Sequence, residues 1–181
     1  MKERAVKATS NYAMSPPNRM RHLGRYEDKV FFNQARTGDY VSLQAYLPEP
    51  PPITEALQAI RRHLRDTLGI ATALGYGPRF LHSTIQFHKG GPNTGLFLQL
   101  IADETEDVSI PGVPYTFGAF LQAQALGDLE ALGKHRRRVL RIHLGSGPSR
   151  IGGVVTGSGR SPRHKVEVRD QRSEDIRNFR W

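Results

Sequence analysis

The densest run of chemically capable side chains lies at residues 75–91, Gly-Tyr-Gly-Pro-Arg-Phe-Leu-His-Ser-Thr-Ile-Gln-Phe-His-Lys-Gly-Gly. Wound as one helix over 78–89 at about 100° per residue, this run brings Arg79, His82, Ser83, Gln86 and Lys89 to one side. Phe80, Leu81, Thr84 and Phe87 take the other side. The polar side then holds two cations, an imidazole, an amide and a hydroxyl. Such a set donates hydrogen bonds to a phosphorylated or polyhydroxylated ligand, and His82 is the group able to move a proton. A solvated helix face is the plainer reading of the same pattern. His88 falls on the apolar side and reads as structural. The spacing of His82 and His88 keeps them off a common face, and no His-Glu-x-x-His occurs, so neither a metal nor a cofactor is expected.

Other candidates carry less. Gly75-Tyr76-Gly77 lacks the third glycine of a dinucleotide loop, and 145–159 contains no Gly-Lys-Ser/Thr. Lys134, His135, Arg136, Arg137 and Arg138 follow a helix, where dipole complementarity explains basic residues; a phosphate site is the alternative. Asp103, Glu104, Glu106 and Asp107 read as a solvated loop, with a cation site as the alternative. Gln124 either faces a ligand or merely fits a helix.

These side chains need a scaffold, and the chain is long enough to supply one. It has 181 residues, no cysteine and a formal charge of +9. The lack of cysteine excludes disulfides, thiolate zinc sites and a cysteine nucleophile, and it fits a reducing cytoplasm. No apolar run reaches about 18 residues, so no membrane span is expected. The basic start is followed by no apolar stretch and does not read as a secretory signal. The positive charge belongs to the flanks. Residues 1–35 carry 7 basic and 3 acidic side chains, 145–181 carry 8 and 4, and the middle carries 11 and 10. A folded nucleic-acid-binding domain more often concentrates its charge on one ordered face, so a nucleic-acid partner is not the expectation here.

Alternation over 40–47 predicts a strand. Ile53, Leu57, Ile60, Leu64 and Leu68 form one helical stripe, with Gly69 where a left-handed cap is usual. Residues 70–74 form a short strand, and 95–102 a buried one. Thr116 caps a helix expected to turn Phe117, Phe120, Leu121, Leu129 and Leu132 mostly inward. Residues 138–144 form a last strand. Strand and helix alternate throughout, which predicts α/β architecture: a parallel sheet between helices in a three-layer sandwich. Ligands of such sheets sit beyond the carboxyl ends of strands, and the turn at 75–78 is one such place. The flanks read as loosely packed or disordered, with Val154-Val155 and Val166 to Val168 too short for strands.

The run from Gly75 to Gln99 resembles the C-terminal region of the phosphoglucose isomerase half of bifunctional transaldolase/glucose-6-phosphate isomerase proteins. Their pattern G-Y-G-P-R-x-L-H-S-T-G-Q-x-H-K-G-G-P-N-T-G-x-F-L-Q is met at every fixed position but Ile85, where the family has glycine. Gly38 to Val41, Gln44 to Leu47, Ala123 to Asp128 and Arg138 to Leu144 extend the likeness, which covers about 31–144. It implies a partial sugar-isomerase (SIS) domain at 31–144, with a basic extension at 1–30 and a Gly/Arg-rich tail at 145–181. It implies metal-free aldose–ketose interconversion of glucose 6-phosphate and fructose 6-phosphate, a step of glycolysis and gluconeogenesis. His82 then matches the ring-opening histidine, and Arg79, Ser83, Gln86 and Lys89 the sugar-phosphate contacts. Residues 1–35 hold no counterpart of the family's catalytic glutamate or phosphate loop. The expectation is therefore a C-terminal fragment, inactive alone, completed by a second copy or by a partner supplying the missing half-site. The alternative is a non-catalytic sugar-phosphate-binding or interaction module.

Overall fold

The computed structural model describes residues 30–104, 106–146, 151, 165–169 and 177–179. The expectations for 1–29 and for most of the tail lie outside them. Strands β1 (Tyr40–Tyr46), β2 (Ala71–Tyr76), β3 (Gly95–Ile101) and β4 (Arg138–His143) form an all-parallel sheet in the order β2-β1-β3-β4. Strands β5 (Lys165–Arg169) and β6 (Arg177–Phe179) extend it antiparallel beyond β4. The α/β sandwich expected from the alternation of elements is the fold observed.

Helix α1 (Pro51–Leu68) connects β1 to β2 and forms where the pattern demands it. Pro51 and Pro52 open it, at positions where a missing N–H loses nothing. Gly69 closes it with φ 69°, its N–H donating to the Arg65 carbonyl at 2.8 Å. Ile53, Leu57, Ile60 and Leu64 are buried against Val41, Leu43, Leu98, Leu100, Leu140 and Ile142. At about 1.5–3 kcal/mol per fully buried aliphatic side chain, this stripe anchors the first face of the sheet, with Phe31 and Phe32 buried in the same cluster.

The other face is covered by α2 (Ile85–Gly90) and α3 (Phe117–Lys134). Thr116 caps α3 as expected, its hydroxyl accepting the Ala119 N–H at 3.2 Å. Asp107 accepts both the Thr116 hydroxyl and the Gly118 N–H, and these bonds hold its carboxyl below the ordinary range. Leu129 and Leu132 pack on Phe97 and Val139, while Tyr46, Phe80, Ile85, Ile101 and Ala125 make a second cluster. Phe117 and Phe120, expected inward, are exposed instead. The side of α3 facing the sheet is filled by Ala125, Asp128, Leu129 and Leu132, so both rings fall outside it. Val166 to Val168, read as too short for a strand, stand in β5: pairing with the β4 edge supplies the order that local length does not.

Candidate functional site

The segment after β2 is not one helix. A cis peptide joins Gly77 to Pro78, a 3-10 turn covers Arg79–His82, and the chain breaks at Ser83 before α2 begins. The cause is burial. On one continuous helix Phe80 and Ile85 would stand about 140° apart. With the break, both reach the cluster formed with Tyr46 and Ala125. The glycines make room for this. A Cβ on Gly75 would stand 2.9 Å from the Phe80 Cβ, and one on Gly77 would overlap the Tyr46 ring. Ile85, standing where the resembled pattern has glycine, points into this core and does not crowd the surface.

The five side chains expected on one face are consequently separated. Arg79 is exposed, paired with Glu49, and its guanidinium carbon lies 5.9 Å from the centre of the Tyr76 ring. His82 is exposed, and among the described residues its side chain makes no hydrogen bond or ion pair. Ser83 donates to the Phe80 carbonyl at 3.2 Å, a bond that serves the turn. Gln86 is exposed. Lys89 turns inward, and its ammonium lies 2.6 Å from an Asp128 carboxylate oxygen. Only Arg79, His82 and Ser83 therefore stand together past the end of β2.

His88 is buried, as its place on the apolar side predicted. Its Nδ1 lies 3.5 Å from the Gln44 amide nitrogen, and its ring packs 5.1 Å from Phe97. Desolvation pushes its pKa down to about 4, so the ring is neutral near pH 7. Gln44 and Gln99 sit opposite each other on β1 and β3, both fully buried, and Gln99 donates to the Ala125 carbonyl at 2.9 Å.

The carboxyl edge of the sheet gathers the turn after β2 and the acidic loop with two groups, Glu49 and His143, that no local pattern marked. Glu49 follows β1, Arg79 and His82 follow β2, Asp103 and Glu104 follow β3, and His143 ends β4. The strand order reverses direction between β1 and β3, which is where open α/β sheets form their ligand crevice. Glu49 and Asp103 come from the two strands flanking that point. With strands about 4.8 Å apart, the ends of β2 and β3 are separated by about 10 Å. His143 donates from Nε2 to Asp103 at 3.0 Å, and the Gly145 N–H donates to Nδ1 at 3.2 Å. The backbone bond thus fixes the tautomer, leaving the Nε2 proton for the carboxylate. The signal that could have found Glu49 and His143 was positional: each lies at or just after the end of a parallel strand.

Among the described residues, no group of three or more His, Cys, Asp or Glu side chains is placed to hold a metal ion. No helix of the described residues is long and apolar enough to cross a membrane. The edge offers a cation, two histidines and three carboxylates in exposed or partly exposed positions. The set can donate and accept hydrogen bonds to a hydroxyl-bearing ligand.

No protein-family model and no curated protein matches the chain. Among solved structures, that of hypothetical protein TT0462 from Thermus thermophilus is similar, with a TM-score of 0.54 and 20% identity over 75% of this chain. The likeness is one of fold. This chain spans 39% of that protein's length.

Proposed function

We propose that the chain supplies the sugar-phosphate-binding edge of a glucose-6-phosphate isomerase-type aldose–ketose isomerase acting in the cytoplasm. The observation that supports this reading is the placement of Arg79 and His82 past the carboxyl end of β2, one strand removed from the reversal between β1 and β3. Arg79 would take the phosphate, as a planar guanidinium suits a tetrahedral oxyanion. His82, exposed and unengaged among the described residues, would serve ring opening. Isomerisation also needs a carboxylate that removes the proton next to the carbonyl. Glu49 is engaged by Arg79, and Asp103 by His143. That engagement favours a second reading, a module that binds sugar phosphate without turning it over.

The test pairs a coupled assay of fructose 6-phosphate isomerisation with thermal unfolding in the presence of fructose 6-phosphate. Binding at about a hundredfold excess over Kd should raise Tm by about 5 °C or more, and Arg79→Ala should abolish that rise. Turnover lost in His82→Ala would establish the isomerase. A Tm rise without turnover would leave the binding module. Neither turnover nor a Tm rise in folded protein would sink both readings.

A further inference from the structure

The fold sorts charge that the residue counts conceal. The middle of the sequence carries 11 basic and 10 acidic side chains. Helices α1 and α3 run against the parallel strands, so both end at the amino edge of the sheet. Exposed Arg62 and Arg65 stand in the last turns of α1, and exposed Lys134 ends α3. Exposed Arg36 and Arg136 lie in the turns before β1 and β4. Among the described residues, the exposed acids beside them are Asp66, paired with Arg65, and Glu130, one turn before Lys134. Glu49, Glu55 and the acids of the loop after β3 lie at the opposite, carboxyl edge. Attraction to helix carboxyl ends accounts for Arg65 and Lys134. It does not account for Arg36, nor for Arg136, held at φ 52° where glycine is the favoured residue.

The spread of these cations selects the partner. Strand β5 ends with Arg169 opposite Val139, and β6 begins with Arg177 opposite Val168, which carries the basic edge further. With strands about 4.8 Å apart, the edge runs about 24 Å from β2 to β6. A single small anion meets only a few such cations; a chain of phosphates meets them all. An aromatic ring stands with them. Phe87 keeps 51% of its surface open, and its ring lies 5.7 Å from that of Tyr40, the first residue of β1. A Cβ on Gly91 would touch the Phe87 ring, and the Gly91 carbonyl accepts from Arg137 at 2.6 Å. Asn93 donates to the Arg136 carbonyl at 3.2 Å, which fixes that arginine's turn against the loop after α2. An exposed ring among cations holds single strands well, a base stacking on the ring while the phosphates meet the cations.

We infer that the amino edge binds the backbone of single-stranded nucleic acid, with Phe87 stacking on a base. The site lies at the other end of the strands from the proposed sugar-phosphate edge and does not depend on that reading. Fluorescence anisotropy of the full chain with labelled oligo(U) and oligo(dT) of about 20 nucleotides tests it. About five phosphate contacts predict a slope of about −3.5 in log K against log salt, so affinity should fall about a hundredfold between about 50 and about 200 mM NaCl. Arg36→Ala and Arg136→Ala should each make that slope shallower by about 0.7. Val108→Glu, at an exposed site near the carboxyl edge, lowers net charge by the same amount and should leave the slope unmoved. Phe87→Ala should weaken binding about 5- to 150-fold and Phe87→Trp should keep it, both in protein that melts like the parent. No binding at about 50 mM salt overturns the proposal. Binding unmoved by both arginine variants overturns it too, and would assign the affinity to the basic segments 1–29 and 145–181. A duplex bound as tightly as the single strand, or Phe87→Ala without effect, overturns the stacked single strand. Binding to phosphatidylcholine–phosphatidylserine vesicles that the oligonucleotides cannot displace would give the edge to a lipid surface instead.

Discussion

Tyr46, the last residue of β1, donates its phenol to the carboxylate of Asp128 in the middle of α3, 82 positions further along the chain. Lys89, near the end of α2, reaches the other oxygen of the same carboxylate at 2.6 Å. One buried side chain of α3 therefore ties the sheet and both covering helices together. Burial, then the neighbouring carboxylate, push the Tyr46 pKa upward, so the phenol stays protonated and remains a donor.

Removing the acceptor should consequently cost more than removing one donor. Asp128→Ala leaves the Tyr46 hydroxyl buried without a partner and strips Lys89 of its counter-charge. Lys89 is partly exposed and can rehydrate, so the expected loss is about 2–3 kcal/mol, below the range for a fully buried pair. Tyr46→Phe, which leaves Lys89 on Asp128, should cost about 1–2 kcal/mol. Urea unfolding of the two variants checks the order. Equal losses would mean that the phenol bond carries the cluster without Lys89.

His88 gives stability a defined pH dependence. Its folded pKa of about 4 lies below the ordinary 6.5, because burial disfavours the imidazolium. Between those values the unfolded chain binds a proton that the folded chain refuses. The contribution is thus complete above about pH 6.5 and is lost as pH falls toward 4, at up to about 1.4 kcal/mol per pH unit. His88→Gln should flatten this slope between pH 7 and 5 in urea titrations. An unchanged slope would place the titration elsewhere.

How much of this was legible in the sequence differs by element. Helix α1 was readable because the stripe, the prolines and Gly69 all speak locally, β1 because its apolar and polar side chains alternate, and β3 because burial on both faces leaves a near-continuous apolar run. The break after His82 was not readable. It depends on Phe80 fitting against Gly75 and on Ile85 entering a cluster built by three other elements. The outward turn of Phe117 and Phe120 was hidden for the same reason, since apolar residues surround α3 and periodicity cannot say which face the sheet takes. Of the edge groups, Arg79 and His82 stood out by type and neighbours. Glu49 and His143 became visible only once strand order put them at one edge, and Asp103, noted in its acidic loop, gained its histidine partner only there.

Arg138 and Asp39 make a second long-range tie at the opposite end of the sheet. The guanidinium gives two bonds to the carboxylate, at 2.7 and 3.0 Å, and also reaches the carbonyls of Gln34 and Asn93. Both side chains are buried. Asp39→Ala or Arg138→Ala should each cost about 3–5 kcal/mol, since either leaves a buried charge unpaired. Asp39→Leu with Arg138→Met removes both charges and should cost less than either single change. A double-mutant cycle of Asp39→Ala, Arg138→Ala and their combination, by urea unfolding, measures the coupling, and additive losses would show that the pair is not a unit.

The Glu49–Arg79 pair makes the sharpest link between geometry and the proposed ligand. Both side chains are substantially exposed, so their attraction is screened and worth about 0.2–1 kcal/mol. An incoming phosphate must compete with Glu49 for the guanidinium. Glu49→Gln removes that competitor while keeping the shape of the side chain. It should tighten fructose 6-phosphate binding about 1.4- to 5-fold, read by titration calorimetry. Arg79→Ala should abolish the same binding. Were Glu49 instead a base needed for turnover, Glu49→Gln would lose isomerisation even as its affinity rose, and the coupled assay separates the two roles. Affinity that falls in Glu49→Gln would place the phosphate away from Arg79.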